Sequence, residues 1–362
     1  MPNEALRVHV CGPDDREEQA RLFNACFKKH LGAEALRWRY DQSPHGRSVS
    51  LVMRTPAGEA ISGYASSPRL ALVHGDEDTL APVGQTGDVM THPEWRKRGL
   101  FSTLDRAVMA ESARLGWPVG FGLPNRRSAH IFLELGWKRV GTVRPWTYYF
   151  GAGAPARALR RREGRLREAL LPLARLACRS RRAGLRRRAG AELVTRPLER
   201  FPAEVIELSR RMEPRYPLMV RRDAAYLNWR FVDTSARLHR SVGVYTPAGE
   251  LAGYAVVQLP REAGLGYLVD VLAPEPAAEA AAVDAGLSLL EAEGAFAAQA
   301  TAIDGSHWER VLRRAGFLAP KPENYLIVIA YVHRDGHPLS EVALRASKWY
   351  LTDGDRDDET MG

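Results

Sequence analysis

Cysteine is scarce in this 362-residue chain. Cys11, Cys26 and Cys178 are odd in number, far apart and outside any CxxC pair. That argues against a disulfide framework or a zinc site and suits a reducing compartment. Long apolar runs are missing as well: no stretch approaches the roughly 20 uninterrupted apolar residues of a membrane span. The opening "MPNEALRVHVCGPDD" has no basic segment followed by a long apolar core, so no signal peptide is expected. A cytoplasmic protein is the expectation. Acidic residues are almost absent from one segment only. Between Arg157 and Arg188, 13 Arg face Glu163 and Glu168, a net of +11; set against the chain total of +9, the remainder carries −2. The basicity is therefore local, and nucleic acid is not an expected partner of the folded parts.

What the chain does have is length and a repeat. At 362 residues it exceeds what one core usually serves, so two domains are expected. "WRYDQSPHGRSVSLVMRTPAGEAISGYA" (38–65) and "WRFVDTSARLHRSVGVYTPAGELAGYA" (229–255) both open Trp-Arg-aromatic, and both place Thr-Pro-Ala-Gly-Glu before Gly-Tyr-Ala. Each reads as strand, Pro-Gly turn, strand. "GDVMTHP" near Asp88 pairs more weakly with "LVDVLAP" near Asp270, and "LGWKRV" at Leu135 with "AGFLAP" at Ala315. A period near 180–190 means a tandem of two domains. The expected division is 1–150, an Arg-rich helical linker 151–190, 191–335 and a tail 336–362.

In the first copy a strand is expected near 6–10. A helix follows from the capping-box pattern Asp14-x-x-Glu17 to about residue 30, then a short helix carrying Trp38. Strands are expected near 49–54, 60–73, 84–91, 118–123 and 142–150. One helix follows the period of Leu100, Leu104, Ala107, Val108 and Leu115 and stops at Gly116; another spans 128–135 and closes at Gly136. This is a mixed α/β unit.

The stretch "VMTHPEWRKRGLFSTL" places an apolar strand end, a proline, three basic residues and Gly99 before a helix. The first N–H groups of a helix lack internal partners and carry the positive end of its dipole. A pyrophosphate fits there, and Gly99 lets the backbone approach it. Arg96, Lys97 and Arg98 add positive potential.

"V-M-T-H-P-E-W-R-K-R-G-L-F" resembles the acyl-CoA signature of the GNAT N-acyltransferase superfamily, a strand leading to [QR]-x-x-G-x-[GA] at a helix start. Phe101 departs from the small last residue of that pattern. "N-R-R-S-A-H-I-F-L-E-L-G-W" (125–137) resembles the family's later strand-to-helix segment. The resemblance covers 5–150 well and 195–335 faintly, and it implies an α/β (α+β) fold of two domains, each a mixed, mostly antiparallel sheet flanked by helices. It further implies that acyl-CoA, most simply acetyl-CoA, lies along Val89, Met90 and Thr91. Backbone N–H groups of Arg98, Gly99 and Phe101 would hold its pyrophosphate, with Arg96, Lys97 and Leu100 also binding the cofactor and Asn125 facing it. No metal is called for. The reaction implied is direct acyl transfer to a small-molecule or peptide amine in a ternary complex. Asp88, just before the loop, is the first candidate base, against a structural carboxylate that caps a loop. The family often has a Tyr to protonate the leaving thiolate where this chain has Phe132; His130, Tyr148 and Tyr149 are substitutes by sequence proximity. Trp38 and Tyr40 are candidates to line the acceptor pocket, although Trp229 and Phe231 at the same places in the second copy favour a scaffold role.

The second copy lacks the phosphate loop: "LVDVLAP" leads into "EPAAEAAAVDAGLSLLEAEGA", acidic and alanine-rich. It is expected to be degenerate. The tail "KWYLTDGDRDDE" is either solvated or folded back, with Asp353 or Asp355 meeting a cationic acceptor. The Arg-rich segment has Leu166, Leu170, Leu173 and Leu176 at helical spacing. A helical arm packed on the domains is its first reading, and peripheral contact with an anionic membrane surface its second. The expected function is an acyl-CoA-dependent N-acyltransferase. The alternatives are a non-catalytic acyl-CoA-binding regulatory module and a Fem-type aminoacyltransferase.

Overall fold

The computed structural model describes residues 6–27, 30–73, 78–151, 157–234, 238–260, 264–319 and 326–356, with the backbone alone over 157–169. The first half of the chain runs β1 (Arg7–Val10), α1 (Arg16–Cys26), α2 (Ala33–Asp41), β2 (Val49–Arg54), β3 (Ala60–Val73), β4 (Thr79–Thr91), α3 (Leu100–Arg114), β5 (Val119–Gly122), α4 (Ala129–Glu134) and β6 (Lys138–Tyr149). The second runs α5 (Arg157–Ala189), β7 (Val194–Pro197), α6 (Val205–Met212), β8 (Leu218–Met219), α7 (Ala224–Phe231), β9 (His239–Tyr245) and β10 (Leu251–Gln258). It continues with β11 (Leu265–Leu272), α8 (Pro276–Ala292), β12 (Ala297–Ile303), α9 (His307–Ala315), β13 (Leu326–Val332), α10 (Pro338–Val342) and β14 (Trp349–Tyr350). Among the described residues no helix is long and apolar enough to cross a membrane.

The chain divides into two units, but not where the sequence suggested. Unit 1 is 1–141 with 326–345, and unit 2 is 142–325 with 346–362. The difference lies in two strands. β6, expected as the last strand of the first domain, pairs antiparallel with β12 from Val143↔Ile303 to Tyr149↔Ala297. β13, from the second half, pairs antiparallel with β5 from Val119↔Val332 to Gly122↔Ile329. Each unit's sheet is thus closed by a strand from beyond the other unit's first strands. The strand order is β1-β2-β3-β4-β5-β13 in unit 1 and β6-β12-β11-β10-β9-β7 in unit 2. In each, one central pair is parallel, β4 with β5 and β11 with β12, and the other pairs within the unit are antiparallel.

The duplicated hairpins fold alike down to single bonds. Thr55 N–H donates to Glu59 O and Gly58 N–H to Thr55 O; Thr246 donates to Glu250 O and Gly249 to Thr246 O, each at 2.9 Å. Gly58 and Gly249 have φ of 88° and 86°, a turn conformation that side-chain-bearing residues resist. In unit 1 alternate residues of β2 face opposite layers: Val52 joins Leu22, Phe23 and Met90 under α1, whereas Leu51 and Met53 join Leu100, Leu104, Val108 and Tyr64 under α3. The capping box expected from Asp14 to Glu17 is not formed: Gly12 N–H donates to Asp15 at 2.7 Å across a 3-10 turn over Pro13–Asp15, and α1 then starts at Arg16 without a side-chain cap.

In unit 2, α8 buries Val283, Leu287 and Leu290 against Val244, Ala255, Val257 and Leu268. The Arg-rich segment is one 33-residue helix with Pro172 inside. Its C-terminal part packs on unit 2 through Cys178 and Leu185, and Arg182 donates to Asp284, Glu291 and Ser288 of α8. Leu170, Leu173 and Leu176 are exposed, and Leu166 lies where only backbone is described.

Candidate functional site

β4 pairs with β5 at Val83↔Val119, Gly84↔Gly120 and Gln85↔Phe121 only. β4 then continues to Thr91, held on its other edge by β3 through Gly63↔Met90 and Ser62↔Thr91. The side of β4 that faced β5 is therefore unpaired by strand beyond Gln85 among the described residues. Gly122 closes the paired stretch tightly: a Cβ there would fall 2.4 Å from Thr86 Cγ2. The result is a cleft whose wall is strand backbone, the arrangement that lets an extended ligand bond like an added strand.

The register between β3 and β4 shifts at Gly63/Ala65, and within that bulge Asp88 takes φ 48°. A positive φ at a non-glycine residue costs on the order of 1–2 kcal/mol. A bulge re-aims its side chain, and here the carboxylate meets α2. Asp88 Oδ2 accepts from Arg39 Nη1 and, at 2.5 Å, from the Tyr40 hydroxyl. Burial and the neighbouring Asp88 charge push the Tyr40 phenol well above its ordinary range, so it stays a donor. Of the predicted site residues the structure thus joins Asp88 and Tyr40, and adds Arg39. Its signal was present in the sequence, because the Trp-Arg-aromatic triplet of 38–40 recurs at 229–231.

Beyond Thr91, Pro93–Trp95 make a short 3-10 turn. Lys97 and Gly99 follow at φ 63° and 75°, and α3 starts at Leu100 with no side-chain cap on its N-terminus. A Cβ at Gly99 would have nothing within 4 Å: the glycine serves the backbone turn and leaves the space before the helix open. Two of the three basic side chains fold back. Arg96 Nε donates to Thr91 O at 3.3 Å, Arg98 donates to Glu94 O at 3.3 Å, and the Arg98 guanidinium lies 4.5 Å from the Trp95 ring centroid. Met90 and Leu100 are buried in the core while Val89 and Thr91 are half-buried; Met90 is held against β3, its carbonyl accepting from the Ser62 hydroxyl at 2.8 Å.

Phe101, the departure from the small-residue pattern, has a packing partner set. Its ring stacks on Tyr64 at 6.2 Å and meets Phe132 edge-on at 5.0 Å; Phe132 in turn meets Trp137 at 5.2 Å. Under this cluster lies Asp105, which sequence reading missed. It accepts from Tyr64 at 2.8 Å and from Trp137 Nε1 at 3.2 Å, and burial raises its carboxyl pKa.

Other predicted residues are placed differently. Asn125 caps its own turn, its Oδ1 accepting from Arg127 and Ser128 N–H. His130 is exposed on α4 and is not among the groups around Asp88. Tyr148 belongs to unit 2, buried against Phe150 and Phe317; Tyr149 lies in the same strand of that unit, its ring 6.1 Å from Phe296. Trp38 is half-buried. The suggestion that Asp355 meets a cationic acceptor is corrected: the segment does fold back, but Asp355 is 2 % exposed and bonds the chain's own Arg222 at 2.8 Å. Among the described residues no group of three or more His, Cys, Asp or Glu is placed to hold a metal ion.

Comparison with known proteins agrees with this geometry. The family model described as "Acetyltransferase (GNAT) domain" matches residues 7–140. No curated protein matches the sequence. Among solved structures, a GCN5-related N-acetyltransferase from Kribbella flavida is 15% identical with TM-score 0.61, over 94% of this chain and 74% of that one. A GCN5-related N-acetyltransferase from Anabaena variabilis ATCC 29413 is 11% identical with TM-score 0.63, over 94% and 75%. A tandem GNAT protein from the clavulanic acid biosynthesis pathway is 15% identical with TM-score 0.54, over 92% of this chain and all of that one. At these identities the likeness to solved structures is one of fold. The matched domain and the two splayed sheets agree: residues 7–140 match a GNAT acetyltransferase domain, and over most of its length the chain shares the fold of solved GNAT structures, a tandem one among them.

Proposed function

We infer that unit 1 binds acyl-CoA, most simply acetyl-CoA, and transfers the acyl group directly to an amine. The observation that carries this reading is the joining of three features: the strand edge of β4 left open beyond Gln85, the Asp88 bulge, and the uncapped start of α3 behind Gly99. Backbone groups of Val89 and Thr91 would bond the pantetheine arm, each bond contributing about 0.5–1.5 kcal/mol net. The N–H groups of Gly99, Leu100 and Phe101 would hold the pyrophosphate at the positive end of α3. Lys97, exposed in the same turn, would add positive charge for outlying phosphates.

In the transfer the amine nitrogen attacks the thioester carbonyl carbon, the C–S bond breaks and the thiolate leaves. An amine with pKa near 10 must first lose a proton, at roughly 4 kcal/mol at pH 7. Asp88, fixed by Arg39 and Tyr40, would receive or relay that proton, directly or through a water. The thiolate is a stable enough leaving group to depart and take its proton from solvent. No cysteine lies in either motif, which favours a ternary complex over a cysteine-linked acyl intermediate. The test is thiol release from acetyl-CoA over a panel of small-molecule and peptide amines, with calorimetry of acetyl-CoA binding alongside. Amine-dependent release is expected. Absence of acetyl-CoA binding removes the reading.

A second reading, an acyl-CoA-binding module without turnover, is favoured by one observation: Phe132 puts a buried ring among Phe101, Tyr64 and Trp137 where the family often has a hydroxyl. Tight acetyl-CoA binding with no thiol release across the panel would select it.

A further inference from the structure

Unit 2 has the same splayed pair of strands. β11 and β12 run parallel through Leu265↔Ala297, Gly266↔Ala298 and Tyr267↔Gln299, and then part. Aligning these pairs with those from Val83↔Val119 onward puts Asp270 in the place of Asp88, Val271 in that of Val89 and Thr301 in that of Leu123. The walls match, but in unit 2 something lies between them. Residues 349–356 enter as β14, pairing parallel with β8 through Trp349↔Leu218 and Tyr350↔Met219, and continue as a 3-10 turn over Asp353–Asp355.

This segment meets both walls with hydrogen bonds. On the β11 side the Tyr350 hydroxyl donates to Val271 O, and the Thr352 hydroxyl donates to Asp270 Oδ1 at 2.7 Å. On the β12 side the Asp353 carboxylate accepts from Thr301 N–H at 2.7 Å and from the Thr301 hydroxyl. From α7, Arg230 donates to the carbonyls of Gly354, at 3.1 Å, and of Arg356. Arg222 bridges the wall residue Asp270 and the inserted Asp355. The fit is close: a Cβ on Gly354 would stand 3.0 Å from Phe231 Cζ and 3.2 Å from Asp270 Cβ. Thr352, Asp353 and Asp355 are at most 2 % exposed. The helix that follows β11 also starts unlike α3, with Pro276 preceded by Glu275, which is ion-paired to Arg211.

We propose that the cleft of unit 2 is a peptide-binding site which the chain fills with its own residues 349–356, so that this segment acts as the unit's built-in ligand and excludes acyl-CoA from the second copy. The wall groups that bond the segment meet peptide groups of opposite hydrogen-bonding sense: the Thr301 N–H and the Arg222 and Arg230 guanidiniums meet inserted carboxylates and carbonyls, and the Asp270 carboxylate and Val271 carbonyl meet inserted hydroxyls. A buried carboxylate such as Asp353 is tolerated only with such partners. The proposal does not depend on acyl transfer by unit 1.

The test uses full-length protein. In an Asp353→Ala chain, hydrogen exchange at the Thr301 amide should rise at least tenfold relative to Ala298 in the paired part of the same strand. Unchanged relative exchange overturns the proposal. A second full-length variant, Thr352→Lys with Asp353→Lys, cannot seat its charged segment. It should bind a fluorescein-labelled peptide of residues 346–356 saturably, and at least tenfold more tightly than the same peptide with Asp353→Ala. The unmodified protein, its cleft filled, should bind at least tenfold more weakly than the variant. Equal binding by the two proteins, or no preference between the two peptides, contradicts the proposal. Failure of the double variant to fold leaves the exchange measurement to decide. Loss of acetyl-CoA binding in unit 1 changes neither readout, so this proposal and the one for unit 1 fail separately.

Discussion

In unit 1, β4 runs six residues past its last pair with β5; in unit 2, β11 runs five past its last pair with β12. Both projecting edges carry an aspartate near the parting point, and both aspartates answer to a neighbouring arginine and tyrosine. Asp88 takes Arg39 and Tyr40; Asp270 takes Arg222 and Tyr254. The difference is in what completes the cleft. Unit 2 brings Thr352, Asp353 and Asp355 from its own chain. Unit 1 places ahead of its helix the turn of Lys97 and Gly99, whose open side faces no chain atom within reach of a glycine Cβ. On the proposed reading a duplicated frame keeps its splay for two purposes, one copy bonding its own chain and the other a ligand.

The strongest way to break the comparison is to separate the copies. A fragment of residues 1–150 keeps β1–β5 but loses β13, and with it Ile329, which is fully buried in the core beside Phe132 and Trp137. It also keeps β6 with no β12 to pair. Such a fragment should fail to give a cooperative unfolding transition by circular dichroism. A fragment that folds cooperatively would mean the exchanged strands are dispensable.

Next in size is Gly99→Glu. It adds a carboxylate to the expected anion site and forces φ 75° on a residue with a Cβ, a strain of about 1–2 kcal/mol. Acetyl-CoA affinity should fall at least 100-fold, while the unfolding midpoint moves by only a few degrees because no atom is displaced. Retained affinity would show the anion site lies elsewhere.

The aspartates should then separate the two roles. Asp270→Asn weakens the hold on Arg222, with both side chains at most 2 % exposed, and breaking a buried pair costs about 3–5 kcal/mol. Asp88→Asn meets a pair in which each side chain is 9% exposed, so it should cost less stability but lower kcat/KM at least tenfold. Equal destabilisation with unchanged kcat/KM would reduce Asp88 to a structural carboxylate.

The smallest effect expected is none. Burial pushes Cys11 up to about 12 and raises Cys26 and Cys178. Each folded value lies above the ordinary thiol value, so the neutral thiol persists at pH 7.5 and the thiolate appears only at higher pH. Iodoacetamide at pH 7.5 should leave thiol release unchanged. Inactivation would bring a cysteine into the mechanism.

The copies, their hairpins and the phosphate-type loop were legible because each rests on local signals. Gly58 and Gly249 mark turns, Gly116 and Gly136 mark helix ends, and Gly99 opens α3, all at positive φ. The destination of β6 and β13 was not legible. Period and β-propensity say that 142–150 is a strand, yet nothing in its alternation says which sheet it joins. The carboxylate network of unit 2 was hidden for a related reason. Asp353 and Asp355 sit in a short acidic run, which reads as solvated until Thr301, Arg222 and Arg230, bonded across 52 to 133 positions, are placed around it. Phe101 broke a family pattern, and only the rings of Tyr64 and Phe132 beside it give it a place.

The central claim is that one cleft is open to acyl-CoA and the other is filled. Titration of the intact protein with acetyl-CoA in a calorimeter, repeated on Gly99→Glu, tests it most directly. The account predicts one site per chain, abolished by the substitution. Two sites per chain, or a site that survives Gly99→Glu, would contradict it.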